Sequence, residues 1–139
     1  MVPRESGKVV SDMKDGISFH DTGNREGPVL IFIHGLGLNQ YVWQWQLPTM
    51  EKSFRLISYD LLGHGSSADP AEEPSLAVFG VQLRDLMDGL GIERATLVGF
   101  SLGGMIARRA AQDMPYRVER LILLNTAHKR TPEAQSALE

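Results

Sequence analysis

The chain has 139 residues, of which 42% are hydrophobic and 22% are charged, and its net charge is −3. This composition is typical of a globular domain with a hydrophobic core. With this net charge, no basic patch argues for binding to nucleic acid or to an anionic membrane, and we expect neither partner. The lack of cysteine excludes disulfides and thiolate metal sites. We expect neither a metal nor a cofactor.

Residues 1–15 are polar and contain no apolar segment typical of a signal peptide. The longest apolar runs, such as residues 29–33, are too short to cross a bilayer. We therefore predict a loose lead-in over residues 1–15, one domain over residues 16–139, no membrane association and a cytoplasmic location.

Continuous apolar runs predict the buried strands of a parallel sheet. In chain order, strands are predicted over residues 16–20, 29–33, 54–59, 95–100 and 118–124. Helices are predicted over residues 41–50, over an apolar stripe from Leu83 to Leu90, over residues 101–113 and from Thr131 onward. Residues 61–76 are predicted to form a long loop. This alternation predicts an α/β fold, a mostly parallel sheet with helices on both faces.

Ligands bind to such sheets beyond the carboxyl ends of the strands. Residues 34–37, residues 60–67, Ser101 and residues 125–128 all directly follow predicted strands. The sequence therefore predicts a site where these loops converge on one rim of the sheet.

Residues 99–103 fit the G-x-S-x-G pattern, in which a strand turns sharply into a helix and presents a serine hydroxyl. Gly99 and Gly103 lie where a Cβ atom would collide with the tight turn. A helix that begins at Ser101 directs unpaired N–H groups and the positive end of its dipole toward an anion formed there. The pattern indicates acyl transfer with Ser101 as the nucleophile.

Three motifs in this order, His34-Gly35, residues 60–67 and residues 99–103, together resemble the α/β-hydrolase superfamily. The resemblance extends from about residue 16 to the end of the chain. It implies that Ser101 is the nucleophile and that the backbone N–H groups of Leu36 and Leu102 form an oxyanion hole. It also implies a small ester or lactone as substrate. Residues 125–127 and 131–133 resemble the 3-oxoadipate enol-lactonase branch, and no substrate-contacting residue is assigned.

Several other polar and aromatic residues have two interpretations. The resemblance favours His34 as a loop-shaping residue beside the oxyanion hole, with a catalytic base as the alternative. His64 lies between two glycines and is interpreted as a structural residue of its loop, again with catalysis as the alternative. Asp60 is expected to fix the following turn through its side chain. Trp43 and Trp45 are interpreted as core or interface residues, with substrate contacts as the alternative.

A dinucleotide-binding fingerprint is a rival interpretation of residues 63–68, which fit G-x-G-x-x-A, with Asp85 at a suitable distance. The fingerprint requires its first glycine at the end of a strand and a helix directly after it. Leu61 and Leu62 intervene before Gly63, and the prolines at 70 and 74 disfavour such a helix. The hydrolase interpretation is therefore preferred.

A serine nucleophile needs a histidine base and a carboxylate that orients it, and both follow the serine in the family's chain order. After Ser101 the only histidine is His128, and Asp113, Glu119 and Glu133 do not complete a convincing triad. We therefore predict a hydrolase fold truncated after about the sixth strand, lacking lid, acid and histidine, and inactive in isolation. The alternative is a short protein that binds or assembles without catalysis, or that borrows a histidine from a partner. In this case residues 118–124 offer an open apolar edge for pairing with another chain.

Overall fold

The computed structural model describes residues 12–125. Its strands are β1 (Asp12–Lys14), β2 (Ile17–Gly23), β3 (Val29–Ile33), β4 (Arg55–Tyr59), β5 (Ala95–Phe100) and β6 (Val118–Leu124). Its α-helices are α1 (Leu76–Gly89) and α2 (Leu102–Asp113). The strands form one six-stranded sheet in the order β1-β2-β4-β3-β5-β6. The four adjacent strands β4, β3, β5 and β6 are parallel to one another. Strand β2 is antiparallel to both of its neighbours, β1 and β4. The predicted α/β class with a mostly parallel sheet is confirmed.

The central strands are apolar throughout because both of their faces are covered. On one face, Ile31 and Ile33 of β3 pack in the core that contains α1 and α2. On the other face, Leu30 and Phe32 pack with Trp43, which belongs to the short 3₁₀ helix Gln40–Trp43. In the described residues, both α-helices therefore lie on one face, and 3₁₀ helices cover part of the other.

The helix predicted over residues 41–50 is wrong. This segment forms two 3₁₀ helices, Gln40–Trp43 and Leu47–Thr49. Pro48 lacks the amide hydrogen that a continuous α-helix would need, and its ring obstructs the preceding turn. Trp43 is buried beside Phe32, with ring centroids 5.1 Å apart, as a core residue should be. Trp45, in contrast, is 78% exposed and does not belong to the core.

The predicted loose lead-in is wrong for its last residues, because Asp12–Lys14 forms β1 and pairs with β2. Asp15 and Gly16 connect the two strands and have φ angles of 52° and 79°. Positive φ at both positions is typical of the type I′ hairpin turn, for which Asp-Gly is a preferred sequence. Residues 1–11 and 126–139, including the helix predicted from Thr131, lie outside the described residues.

Helix α1 begins at Leu76, which is the last residue of the loop predicted over residues 61–76. Ser75 caps it, because the Ser75 hydroxyl accepts a hydrogen bond from the Val78 N–H at 3.1 Å. The apolar stripe of α1 faces the sheet as predicted, with Leu83, Leu86 and Met87 buried. Within residues 12–125, no helix has the length and apolar character that a membrane span requires.

Strand β6 lies at the edge of the sheet. It pairs with β5 alone among the described strands, and no strand within residues 12–125 lies against its outer backbone groups. Leu121, Ile122 and Leu124 are 37–45% exposed. The predicted self-association through residues 118–124 stays a prediction.

Candidate active site

Ser101 is the single residue between β5 and α2, and it occupies a strained backbone conformation. Its φ is 54° and its ψ is −115°. Positive φ is unfavourable for a residue with a Cβ atom, and such strain persists only where the surroundings impose it. The Ser101 N–H donates to the carbonyl of Leu124, the last residue of β6, at 2.9 Å, so this turn is hydrogen-bonded to the neighbouring strand. The turn leaves the serine exposed.

Two glycines allow this turn to pack against β3. A Cβ atom on Gly99 would lie 2.4 Å from the Gly103 carbonyl oxygen. A Cβ atom on Gly103 would lie 2.0 Å from the Ile33 carbonyl oxygen. These contacts involve backbone atoms, which cannot rotate away as a side chain can. The predicted steric reason for both glycines is therefore confirmed.

The loop after β3 lies directly beside Ser101. A Cβ atom on Gly35 would lie 3.4 Å from the Ser101 Cβ, so these two residues are in close contact. Leu36 follows Gly35, and its side chain is 70% exposed. Leu102 is the first residue of α2, where an N–H group has no acceptor within its own helix. The structure thus brings the loop of Leu36 and the amide of Leu102 to the serine.

His34 is fully buried at the start of this loop. Its Nε2 accepts a hydrogen bond from the Leu61 N–H at 3.0 Å, so the proton of the neutral ring is on Nδ1. Nδ1 then donates to the Gly35 carbonyl at 2.7 Å. Both ring nitrogens are engaged with backbone groups, which agrees with a loop-shaping residue and leaves neither nitrogen available to Ser101.

His34 should make the stability of the fold sensitive to acid. Burial lowers its pKa below the ordinary value of 6.5, with His64 adding to the effect and the Gly35 and Asp60 contacts opposing it. As pH falls from 6.5 toward the lowered pKa of the folded state, the unfolded state binds more protons. The stabilisation from His34 should therefore be complete above pH 6.5 and be lost below it.

Urea unfolding of wild type and His34→Gln between pH 5 and pH 8 measures this effect, because the difference between them cancels the other titrating groups. We expect wild type to exceed the variant in free energy of unfolding by more at pH 8 than at pH 5. A difference that stays constant or grows toward pH 5 would show that His34 is not held neutral.

Asp60 joins the end of β4 to two loops. Its buried carboxylate accepts the backbone N–H of Gln40 at 2.8 Å and the backbone N–H of Ser66 at 3.0 Å. A Cβ atom on Gly65 would lie 2.2 Å from this carboxylate. The expectation that Asp60 fixes the following turn agrees with these contacts, and the same carboxylate also anchors the loop that carries Leu36.

Two buried glutamines belong to this arrangement and were missed in the sequence. Gln82 of α1 accepts the Leu62 N–H at 3.1 Å and donates to the Asp60 carbonyl at 3.0 Å. Its position on the apolar stripe of α1 is a signal that could have identified it. The Gln40 side chain donates to Ser18 Oγ at 3.1 Å and to the Asp60 carboxylate at 3.2 Å. No local pattern marks Gln40.

His64 links the two loops at the rim. Its Nδ1 donates to the Leu62 carbonyl at 2.9 Å, and its Nε2 accepts the Gly37 N–H at 3.0 Å. The ring centroids of His34 and His64 are 5.2 Å apart. Because both nitrogens of His64 are engaged with the backbone, its geometry agrees with a structural role. His20 lies on β2, which β4 and β3 separate from the serine-bearing strand β5.

The candidate carboxylates after Ser101 lie away from it where they are described. Asp113, at the carboxyl end of α2, pairs with an arginine at 3.0 Å. Glu119, near the amino end of β6, forms an ion pair with a second arginine, Arg94, at 2.8 Å. His128 and Glu133 lie outside the described residues. In the part of the chain that is described, the site therefore consists of the serine, its glycines and the neighbouring amides.

The dinucleotide interpretation of residues 63–68 is wrong, because these residues close into a loop. The Gly63 N–H donates to the Ala68 carbonyl at 2.9 Å, and the next helix begins only at Leu76. No helix N-terminus follows the glycines to receive a phosphate. Within residues 12–125, no three histidine or acidic side chains are grouped to hold a metal ion.

Comparison with known proteins gives consistent matches. Residues 28–138 match the family model described as alpha/beta hydrolase fold. The chain is 36% identical to epoxide hydrolase 3 of Xenopus tropicalis, over 84% of this chain and 33% of that protein. It is 34% identical to 3-oxoadipate enol-lactonase 2 of Acinetobacter baylyi, over 81% of this chain and 42% of that protein. A crystal structure of a hydrolase from Pseudomonas aeruginosa superposes with a TM-score of 0.82 at 33% identity, over 94% of this chain and 51% of the other. The chain thus spans between 33% and 51% of these three proteins.

Proposed function

The chain belongs to the alpha/beta hydrolase fold family, and on that premise we propose that the whole protein hydrolyses small carboxylic esters or lactones with Ser101 as nucleophile. The observation that carries the proposal is the strained, exposed Ser101 at the junction of β5 and α2. Strain of this kind is maintained at functional sites because it presents the reacting group. The enol-lactonase relative supports the same class of substrate.

The proposed reaction begins with attack of Ser101 Oγ on the substrate carbonyl carbon, while the hydroxyl proton passes to a base outside the described residues. The carbonyl oxygen becomes an oxyanion, which the N–H groups of Leu36 and Leu102 stabilise. Loss of one such donor typically costs about 3–4 kcal/mol of transition-state stabilisation. The C–O bond then breaks, the alcohol takes the proton, and Ser101 carries an acyl ester. Water hydrolyses this ester and regenerates the serine.

An ester or lactone fits a serine nucleophile better than an epoxide does, although one relative is named an epoxide hydrolase. Attack of a serine oxygen on an epoxide carbon would leave an ether on the enzyme. An ether has no carbonyl that water can attack, so the enzyme would not turn over. Attack on an ester or lactone leaves an acyl ester, which contains that carbonyl.

Turnover assays of the whole protein test this choice of substrate class. We expect hydrolysis of p-nitrophenyl acetate and of a small lactone, loss of both in Ser101→Ala, and no hydrolysis of styrene oxide. Acetylated Ser101 should be detectable by intact mass when the ester reaction is stopped by acid. Hydrolysis of the epoxide, or ester turnover that survives in Ser101→Ala, would contradict the proposal.

The open edge of β6 favours a second candidate, the catalytically silent assembling protein. We propose that β6 of the 139-residue chain pairs with β6 of a second copy, because its outer edge and its exposed Leu121 and Ile122 face no other described strand. Glu119 and Arg120 lie near the amino end of β6, whereas residues 121–124 are uncharged, and a charged residue within that apolar part disfavours pairing.

Sedimentation velocity over a hundredfold concentration range tests this pairing. We expect a dimer that dissociates on dilution in wild type and a monomer in Ile122→Lys. Tyr116→Lys, at an exposed position outside β6, is the matched control and should dimerise like wild type. A wild-type chain that stays monomeric at the highest concentration would contradict the pairing.

A further inference from the structure

One hydrogen bond joins the two loops at the rim beside Ser101. His64 Nε2 accepts the Gly37 N–H at 3.0 Å, across 27 positions of sequence. The other ring nitrogen donates to the Leu62 carbonyl at 2.9 Å, which fixes the proton on Nδ1 and leaves Nε2 as an acceptor. The ring is therefore held within its own loop while it receives a backbone N–H from the other.

Gly37 belongs to a turn that has two alternative forms. The Leu38 N–H donates to the Gly35 carbonyl at 3.2 Å, and Gly37 has a φ of 78°. A glycine with this φ at the third position defines a type II turn. In a type I turn, the central peptide group is rotated by about half a turn, so its N–H points to the opposite side. That peptide group joins Leu36 to Gly37, and the bond to His64 selects the type II form.

We infer that His64 is a positioning residue, which ties the turn of residues 35–38 to the loop of residues 60–68 through the Gly37 N–H and so keeps the Leu36 N–H, one peptide earlier in the same turn, in place beside Ser101. This inference rests on the proposed function, in which the Leu36 N–H stabilises the oxyanion. Without His64 the turn loses this link to the neighbouring loop and gains freedom to move or change form, so fewer molecules present the Leu36 N–H correctly when the oxyanion develops. Both ring nitrogens of His64 are engaged with backbone groups and are not available to bind substrate, so the KM should change little.

Steady-state kinetics of the whole protein with p-nitrophenyl acetate test the role. His64→Ala should lower kcat by about tenfold or more, a fraction of the effect of removing an oxyanion donor, and leave KM within about twofold. His64→Gln should restore most of kcat, because its side chain retains an acceptor and a donor. Ser66→Ala is the matched control, since this exposed residue of the same loop uses its backbone N–H to bond Asp60. It should behave like wild type.

Amide hydrogen exchange of Gly37, measured by NMR, reports the bond independently of turnover. Exchange should be about tenfold faster or more in His64→Ala than in wild type and Ser66→Ala. Unchanged exchange at Gly37 in His64→Ala would overturn the inference. Faster exchange in His64→Ala with a wild-type kcat would also overturn it, and so would a lower kcat that His64→Gln does not restore. Ester turnover that persists in Ser101→Ala would instead overturn the proposed function, and the exchange rate would still decide whether His64 holds Gly37.

Discussion

Replacement of Ser101 by alanine is expected to lower kcat/KM for ester hydrolysis by the whole protein at least about 10⁴-fold, in the range observed when a serine nucleophile is removed. Alanine deletes only the attacking oxygen and retains the Cβ atom, so the turn between β5 and α2 should be unchanged. Initial rates with p-nitrophenyl acetate give the measurement. Ser66→Ala, at an exposed position of the neighbouring loop, should retain full activity.

Ser101→Gly separates the chemical role of this residue from its structural one. Glycine adopts positive φ without the steric cost that serine has at 54°. We therefore expect this variant to be inactive. Its free energy of unfolding, measured with urea, should exceed that of Ser101→Ala by about 1 kcal/mol, because strain of this type costs about 1–3 kcal/mol. Equal stability of the two variants would show that the surroundings of Ser101 do not strain it.

The second large effect is expected from Gly103→Ala. The new Cβ atom would lie 2.0 Å from the Ile33 carbonyl oxygen and 2.7 Å from the His34 carbonyl oxygen. Relief of this overlap requires α2 to move away from β3, which disrupts the core between them. Overpacking in a well-packed core costs about 1–3 kcal/mol and occasionally more. Because the obstructing atoms are backbone, we expect the upper end of that range, or failure to fold.

Gly80→Ala is the matched control for the glycine test. Gly80 lies inside α1, and a Cβ atom there would meet no atom within 4 Å other than those of its chain neighbours and the nearby backbone of its own helix. Alanine should raise the free energy of unfolding by about 0.5–1 kcal/mol, because it favours the helix more than glycine does. Urea unfolding monitored by circular dichroism compares both variants with wild type. A Gly103→Ala protein as stable as wild type would contradict the packing described for this turn.

The parallel strands could be predicted from the sequence because burial on both faces leaves a continuous apolar run. The bounds of β3, β5 and β6 coincide with the predicted runs, and β4 differs by one residue. Strand β1 has no such run, since it is a short polar strand stabilised by pairing with β2. Only its Asp15-Gly16 turn is visible in the sequence.

Contacts between distant residues explain what could not be predicted at the site. The G-x-S-x-G pattern is local, so the turn at Ser101 could be predicted with the role of its glycines. The bonds of Gln40 to Asp60 and of Gly37 to His64 join residues 20 and 27 positions apart. They depend on how β3 and β4 are paired, which no local pattern specifies.

Covalent labelling tests most directly whether Ser101 is the nucleophile. The whole protein is treated with a fluorophosphonate, which phosphonylates activated serines, and the modified peptide is located by tandem mass spectrometry. We predict a single adduct on Ser101, which is absent from Ser101→Ala and from unfolded protein. Absence of an adduct on Ser101 in the folded protein, or equal labelling of other serines, would contradict the assignment.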